Sequence, residues 1–183
     1  AGHALGVGAS AVTLSWMWFV PDGAHLQTEF LGFSTVLFNV DDFSRLMGLI
    51  FAVTGVVAVL YSYASEADGI QTAFAYSYLA SSFGAVFAGD WLTLIFFWEL
   101  MAVTSTLLVW YYRGKAVRAG YRYAIFHGIG GTLLMAAILQ TFVAKGTFLF
   151  ASVPGGPEVA GITAGLPAAL AAIGIGVNVG FIG

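Results

Sequence analysis

Residues 91–112 read WLTLIFFWELMAVTSTLLVWYY, and this run holds one charged residue, Glu99. A helix of that length rises ~1.5 Å per residue, is about 33 Å long, and crosses the hydrocarbon of a bilayer. Glu99 is its ninth residue, which puts it within roughly 5 Å of the midplane. A carboxylate at that depth costs at least ~2.5 kcal/mol, so an acid there has a task or a partner. The residue and its depth point to ion or proton movement.

The rest of the composition agrees with a membrane setting. Of 183 residues, 60% are hydrophobic and 8% charged, and the mean hydropathy is +0.91. Soluble domains carry about 25% charged residues, so the chain reads as a polytopic membrane protein. A net charge of −3 gives no reason to expect a nucleic-acid partner. With no cysteine, disulfides and thiolate metal sites are excluded. The chain opens and closes in membrane-like sequence and is expected to be part of a longer subunit. Its start lacks the basic region of a signal peptide.

Six apolar segments are expected to form an all-α bundle of transmembrane helices, about 4–20, 44–63, 71–87, 91–112, 119–143 and 159–183. Pro21-Asp22-Gly23 ends the first with turn chemistry. The stretch TEFLGFSTVLFNV, residues 28–40, reads as an extended or interfacial piece. Asp41 to Ser44 can cap the second span, and Asp90 the fourth. Arg113 to Arg118 reads as a basic loop, and Lys145 to Glu158 as a second loop with Pro154-Gly155-Gly156-Pro157. Four of the six basic residues, Arg113, Lys115, Arg118 and Arg122, lie together between the fourth and fifth spans. Because Lys and Arg near span ends concentrate on the cytoplasmic side, loop 113–118 is expected in the cytoplasm of an inner-membrane, multi-pass protein. Arg45 and Lys145 then fall on the outer side.

Glu99 shares a helix face with Leu92, Ile95, Phe96, Ala102, Val103 and Thr106. Ala102 and Thr106 are small and allow another helix to approach. One reading is a protonatable relay or ion-binding carboxylate; the other is a neutral, hydrogen-bonded Glu that ties two helices together. His127 shares a face with Ala124, Gly130, Gly131 and Leu134. Its reference pKa of about 6.5 suits a second relay group, and a neutral His bonded within the bundle is the alternative. With Gly120 as the inner end of its span, His127 stands ~10 Å above that surface and Glu99 ~21 Å, too far apart for a direct hydrogen bond. Asn178 is the one strongly polar side chain of the sixth span, whose Gly and Pro residues allow either a helix break lining an ion cavity or close packing. His3, His25 and Glu29 lack metal-site spacing, so neither a metal nor another cofactor is expected. The Trp and Tyr residues mostly flank the spans, as an interfacial belt does.

These residues resemble a known family. GDWLTLIFFWELMAVTSTLLVWYY, residues 89–112, is similar to an Asn- or Asp-led helix containing F-x-x-W-E-L-x-x-x-x-S-x-x-L. That is the signature of the antiporter-like subunits of Mrp-type sodium/proton antiporters and of proton-pumping complex I. FNVDDFSRLMGLIFAVTGVVAVLYSY resembles the family's L-D-G-L-S opening and the span after it, and RAGYRYAIFHGIGGTLLMAAI its next span. The resemblance covers about 40–139 and lies nearest the D-type Mrp subunit. It implies two inverted helix repeats in the full subunit, the six segments here being similar to the second through seventh spans. Glu99 then falls on the family's key glutamate, which pairs with a lysine on the seventh helix. In this sequence Asn178 stands where that lysine is expected, and no Lys follows Lys145.

The resulting expectation is a subunit that moves protons and a monovalent cation such as Na+ within a multi-subunit membrane complex. Glu99 and His127 would be the proton relay, and Thr106 and Asn178 would line the ion path. No redox centre is expected in the chain itself. The alternatives are a non-pumping structural subunit of a respiratory or hydrogenase-type complex and, disfavoured by the block around Glu99, an unrelated small transporter.

Overall fold

A computed structural model describes residues 2–150 and Ile173. Five helices and one hairpin follow in order: α1 (Gly2–Phe19), β1 (Gly23–Phe30), β2 (Phe33–Val40), α2 (Asp42–Ala64), α3 (Gly69–Val86), α4 (Trp91–Tyr111) and α5 (Lys115–Lys145). Three of the helices, α2, α4 and α5, are long and apolar enough to cross a membrane. The fold is the expected helical membrane bundle, with one small antiparallel sheet added at one end.

Short polar side chains start the helices. Asp41 and Ser44 form a reciprocal capping box on α2, with Ser44 N–H donating to Asp41 Oδ1 at 2.6 Å and Asp41 N–H to Ser44 Oγ at 2.8 Å. Asp68 caps α3 and Asp90 caps α4. Small residues let the helices approach: Ser44, Gly48, Ala52 and Gly55 are buried along α2. Gly84 of α3 receives the Phe97 ring of α4, where a Cβ would meet the ring at 2.3 Å.

The stretch 28–40, expected as an extended or interfacial piece, is part of a β-hairpin that starts earlier, with Gly23 opposite Val40 and Phe30 opposite Phe33. Its two-residue turn, Leu31-Gly32, has φ of 51° and 80°, the left-handed pair that matches strand twist. The hairpin docks on the α3–α4 turn: Asn39 N–H donates to Phe87 O and Gly89 N–H to Val36 O, both at 2.8 Å. Asp90 completes the joint. It is 0% exposed and accepts from Val36 N–H at 2.7 Å, from Thr93 N–H at 2.8 Å and from Thr93 Oγ1 at 2.7 Å. One carboxylate thus caps α4 and holds the hairpin.

An aromatic cluster seals the same end. Phe33 meets Phe142 and Phe148 edge to face, Phe142 stacks on Phe148 at 4.2 Å, and Trp91 meets Phe150 edge to face. Trp91 and Phe148 of this cluster join Ile95, Leu134, Ala137 and Ile138 in the core that α4 and α5 share. Arg45 reaches back to the end of α1, donating to Met17 O and to Val20 O at 2.7 Å, and pairs with Asp22.

The basic stretch 113–118 is not a loop over its whole length. The turn comprises Tyr112 to Gly114, with Arg113 and Gly114 at φ 52° and 54°, and Lys115 already belongs to α5. Lys115, Ala116 and Arg118 are good helix formers and no proline interrupts 115–145, so the helix extends past the apolar boundary. The sixth segment, 159–183, lies outside the described residues except for Ile173.

Candidate functional site

The site forms where α4 and α5 cross. Glu99 is half-buried on α4, and its carboxyl lies against the backbone of α5 at Gly131. A Cβ on Gly131 would stand 1.8 Å from Oε1 of Glu99, so the carboxyl fits only because position 131 has no side chain. No hydrogen bond or ion pair to Glu99 is found among the described residues.

Glu99 borders two grooves. One, of about 250 Å³, runs toward the basic end of the bundle between Ala102, Thr106 and Trp110 of α4 and Ala124 and Gly128 of α5. The other, of about 370 Å³, runs toward the hairpin and is lined by Phe30, Leu92, Phe96 and Met135. Glu99 and Val103 line both.

Thr106 lies in the first groove, two turns from Glu99 toward the basic end. Its hydroxyl donates to Ala102 O at 2.7 Å, so an oxygen lone pair remains available. His127 is buried and does not line either groove. Its ring stacks on Tyr123, with centroids 5.1 Å apart. The Tyr123 hydroxyl in turn is 2.8 Å from Ser105 Oγ of α4. The polar side chains between α4 and α5 are therefore Glu99 and Thr106 in the grooves, and a separate Ser105–Tyr123–His127 cluster inside the bundle.

The sequence reading placed Glu99 some 11 Å above His127. The structure narrows that gap, because α5 begins at Lys115 and Glu99 meets it at Gly131, one turn (~6 Å) from His127. No hydrogen bond joins the two, as expected. Of the residues expected on the His127 face, Gly130, Gly131 and Leu134 are buried, while Ala124 is half-buried and lines the first groove, which His127 does not. Asn178 lies outside the described residues.

Gly131 was not singled out as the seat of Glu99, nor were Ser105 and Tyr123 as a pair. The Gly130-Gly131 dipeptide inside a span is the one sequence signal for the first, since paired glycines open a helix surface. Nothing in spacing alone links Ser105 to Tyr123.

Residues 88–172 match the model of the family described as NADH:quinone oxidoreductase/Mrp antiporter, transmembrane part. Those residues make up a little under half of the chain. The antiporter-family match contains both α4 and α5, and with them Glu99 and Gly131. Among curated relatives, the chain is 30% identical over 141 residues to the chloroplastic NAD(P)H-quinone oxidoreductase subunit 5 of Angiopteris evecta, covering 74% of this chain and 17% of that protein. It is 25% identical over 148 residues to the same subunit of Mutisia acuminata, covering 78% of this chain and 19% of that protein. The chain thus spans less than a fifth of the curated relatives' length.

Solved structures share the fold. A chain of the membrane-bound sulfane sulfur reductase, an archaeal respiratory membrane complex, superposes with a TM-score of 0.75 at 24% identity, over 96% of this chain and 29% of that one. A chain of respiratory complex I from Thermus thermophilus gives 0.74 at 23%, over 96% and 38%. The resemblance drawn from 89–112 to the antiporter-like subunits thus agrees with the family match over 88–172, and these solved structures share the fold. This protein is an integral membrane protein with transmembrane helices.

Proposed function

We propose that this chain is an ion-translocating subunit of an Mrp-type or complex I-like membrane assembly, in which Glu99 takes up and releases protons. The observation that carries the reading is the Glu99 carboxyl itself, seated at Gly131 with no partner among the described residues, on a residue that borders grooves running toward both ends of α4. An acid that must gain and lose a proton needs access from both sides; an acid that only ties helices together needs a fixed partner and no groove.

Thr106 lines the limb toward the basic end, where its oxygen can accept from water moving to and from Glu99. His127, with Tyr123 and Ser105, provides a second polar station one turn away inside the bundle. Asn178 would line the path from the sixth segment. The transported species are protons and, in an Mrp-type complex, Na+. By the positive-inside rule the end carrying Arg113, Lys115, Arg118 and Arg122 faces the cytoplasm of a cell inner membrane, and other membrane subunits supply the coupled chemistry.

The test is Glu99→Gln in the complete complex, reconstituted into vesicles. The reading predicts normal assembly and a loss of cation-driven proton flux on the order of a hundredfold, the low end of what a positioned proton-transfer group supplies. Unchanged flux would instead assign the chain a structural role in its complex.

A further inference from the structure

Helix α5 has a second, unrelated surface. Its buried side carries His127, Gly131, Leu134, Ala137, Ile138 and Thr141. On the opposite side, Arg118, Arg122, Ile125 and Ile129 are all exposed. Their spacing of four, three and four residues makes one narrow stripe along the helix. Lys115 begins the same stripe one turn earlier and is also exposed. Three cations at the membrane boundary are thus followed directly by uncovered hydrocarbon.

Among the described residues no acid forms an ion pair with them. Among the described residues the one ion pair is Arg45 with Asp22, at the far end of the bundle. Asp68, an acid at the basic end, accepts from Gly69 N–H and from the Tyr111 hydroxyl instead. Beside the stripe, Tyr121 is exposed and packs against Trp110 at 5.1 Å, and Trp110 is held by its Nε1–H donating to Val117 O at 3.2 Å. Aromatic rings of this kind mark the headgroup level.

We infer that the Arg118–Arg122–Ile125–Ile129 stripe is a binding site for an anionic glycerophospholipid. The phosphate sits between Arg118 and Arg122, about one helical turn apart, where planar guanidinium groups can each grip two of its oxygens. One acyl chain then lies along Ile125 and Ile129. The order of charge and then hydrocarbon along one stripe is the order of groups in the lipid itself. An acidic protein surface would match the cations and leave the isoleucines unexplained. Basic clusters at this level hold anionic headgroups in other membrane proteins. The inference stands independently of whether Glu99 carries protons.

The experiment uses the intact complex, purified in detergent and depleted of lipid, with phosphatidylglycerol or phosphatidylcholine added back and retained lipid counted by native mass spectrometry. Phosphatidylglycerol is expected to be retained over phosphatidylcholine. Each interfacial cation contributes on the order of fivefold in affinity, so Arg118→Gln/Arg122→Gln should lower phosphatidylglycerol retention about twenty-five-fold. Arg118→Lys/Arg122→Lys, which keeps both charges, should stay within a few-fold of wild type and separates loss of charge from loss of fold. Millimolar inorganic phosphate should not displace the lipid, since it lacks the chain that Ile125 and Ile129 cover. Equal retention of both lipids, unchanged retention in the Gln variant, or displacement by inorganic phosphate overturns the site. So does a photo-crosslinker at position 125 that captures a neighbouring subunit and no lipid.

Discussion

Oε1 of Glu99 occupies the space that a side chain on Gly131 would fill, 1.8 Å from where the first carbon of that side chain would stand. The acid on α4 and the missing side chain on α5 form one feature. The glycine lets a carboxyl sit against another helix's backbone.

Gly131→Ala is therefore expected to move the Glu99 carboxyl and leave the fold intact. The group displaced is the far end of a flexible side chain, and alanine favours a helix interior over glycine by up to ~1 kcal/mol. Proton flux should fall about tenfold, equivalent to ~1.4 kcal/mol of barrier, while the thermal midpoint of the complex holds or rises. Flux at the wild-type level in a complex of unchanged stability would show that the seat has no role.

Asp90 links the hairpin to α4 through three hydrogen bonds to a fully buried carboxylate. Asp90→Ala removes the helix cap and strands the Val36 N–H. A loss of about 2–3 kcal/mol is expected, read as a lower unfolding midpoint of the complex. Asp90→Asn, which keeps one acceptor oxygen, should lose roughly half as much. A midpoint unchanged by the alanine would mean that the hairpin is held by its aromatic contacts alone.

Ser105 and Tyr123 form a hydroxyl pair between α4 and α5 at 2.8 Å. Ser105→Ala and Tyr123→Phe should each cost about 0.5–1.5 kcal/mol, and the phenylalanine still stacks on His127. The two losses should overlap in the double variant by ~1 kcal/mol, because both remove the same bond. Strictly additive losses in a double-mutant cycle would contradict the pairing.

The legible parts of the chain are those where a single local signal decides the structure. Helix α4 could be read because an unbroken apolar run follows a capping Asp90, and the Asp41–Ser44 box could be read from adjacent residues. The hairpin was harder. The first strand alternates, with Ala24, Leu26 and Phe30 set between His25, Gln27 and Glu29, but the second breaks the pattern at Val36-Leu37-Phe38, and the turn, Leu31-Gly32, offers one glycine where Asn-Gly would have been plainer. The start of α5 was placed late because charge was equated with loop, although Lys115 and Arg118 continue the helix beyond the apolar boundary. Glu99 stood out by its depth alone. Its seat did not, because Gly131 is 32 positions away and only the packing of α4 on α5 brings them together.

The central claim is that the Glu99 carboxyl changes protonation as ions cross, and infrared difference spectroscopy of the reconstituted complex reads it directly. On imposing and then collapsing a proton gradient, the account predicts a carboxyl carbonyl band that appears and disappears, is missing in Glu99→Gln, and is shifted in Gly131→Ala. A Glu99 band that stays constant whatever the gradient would contradict it.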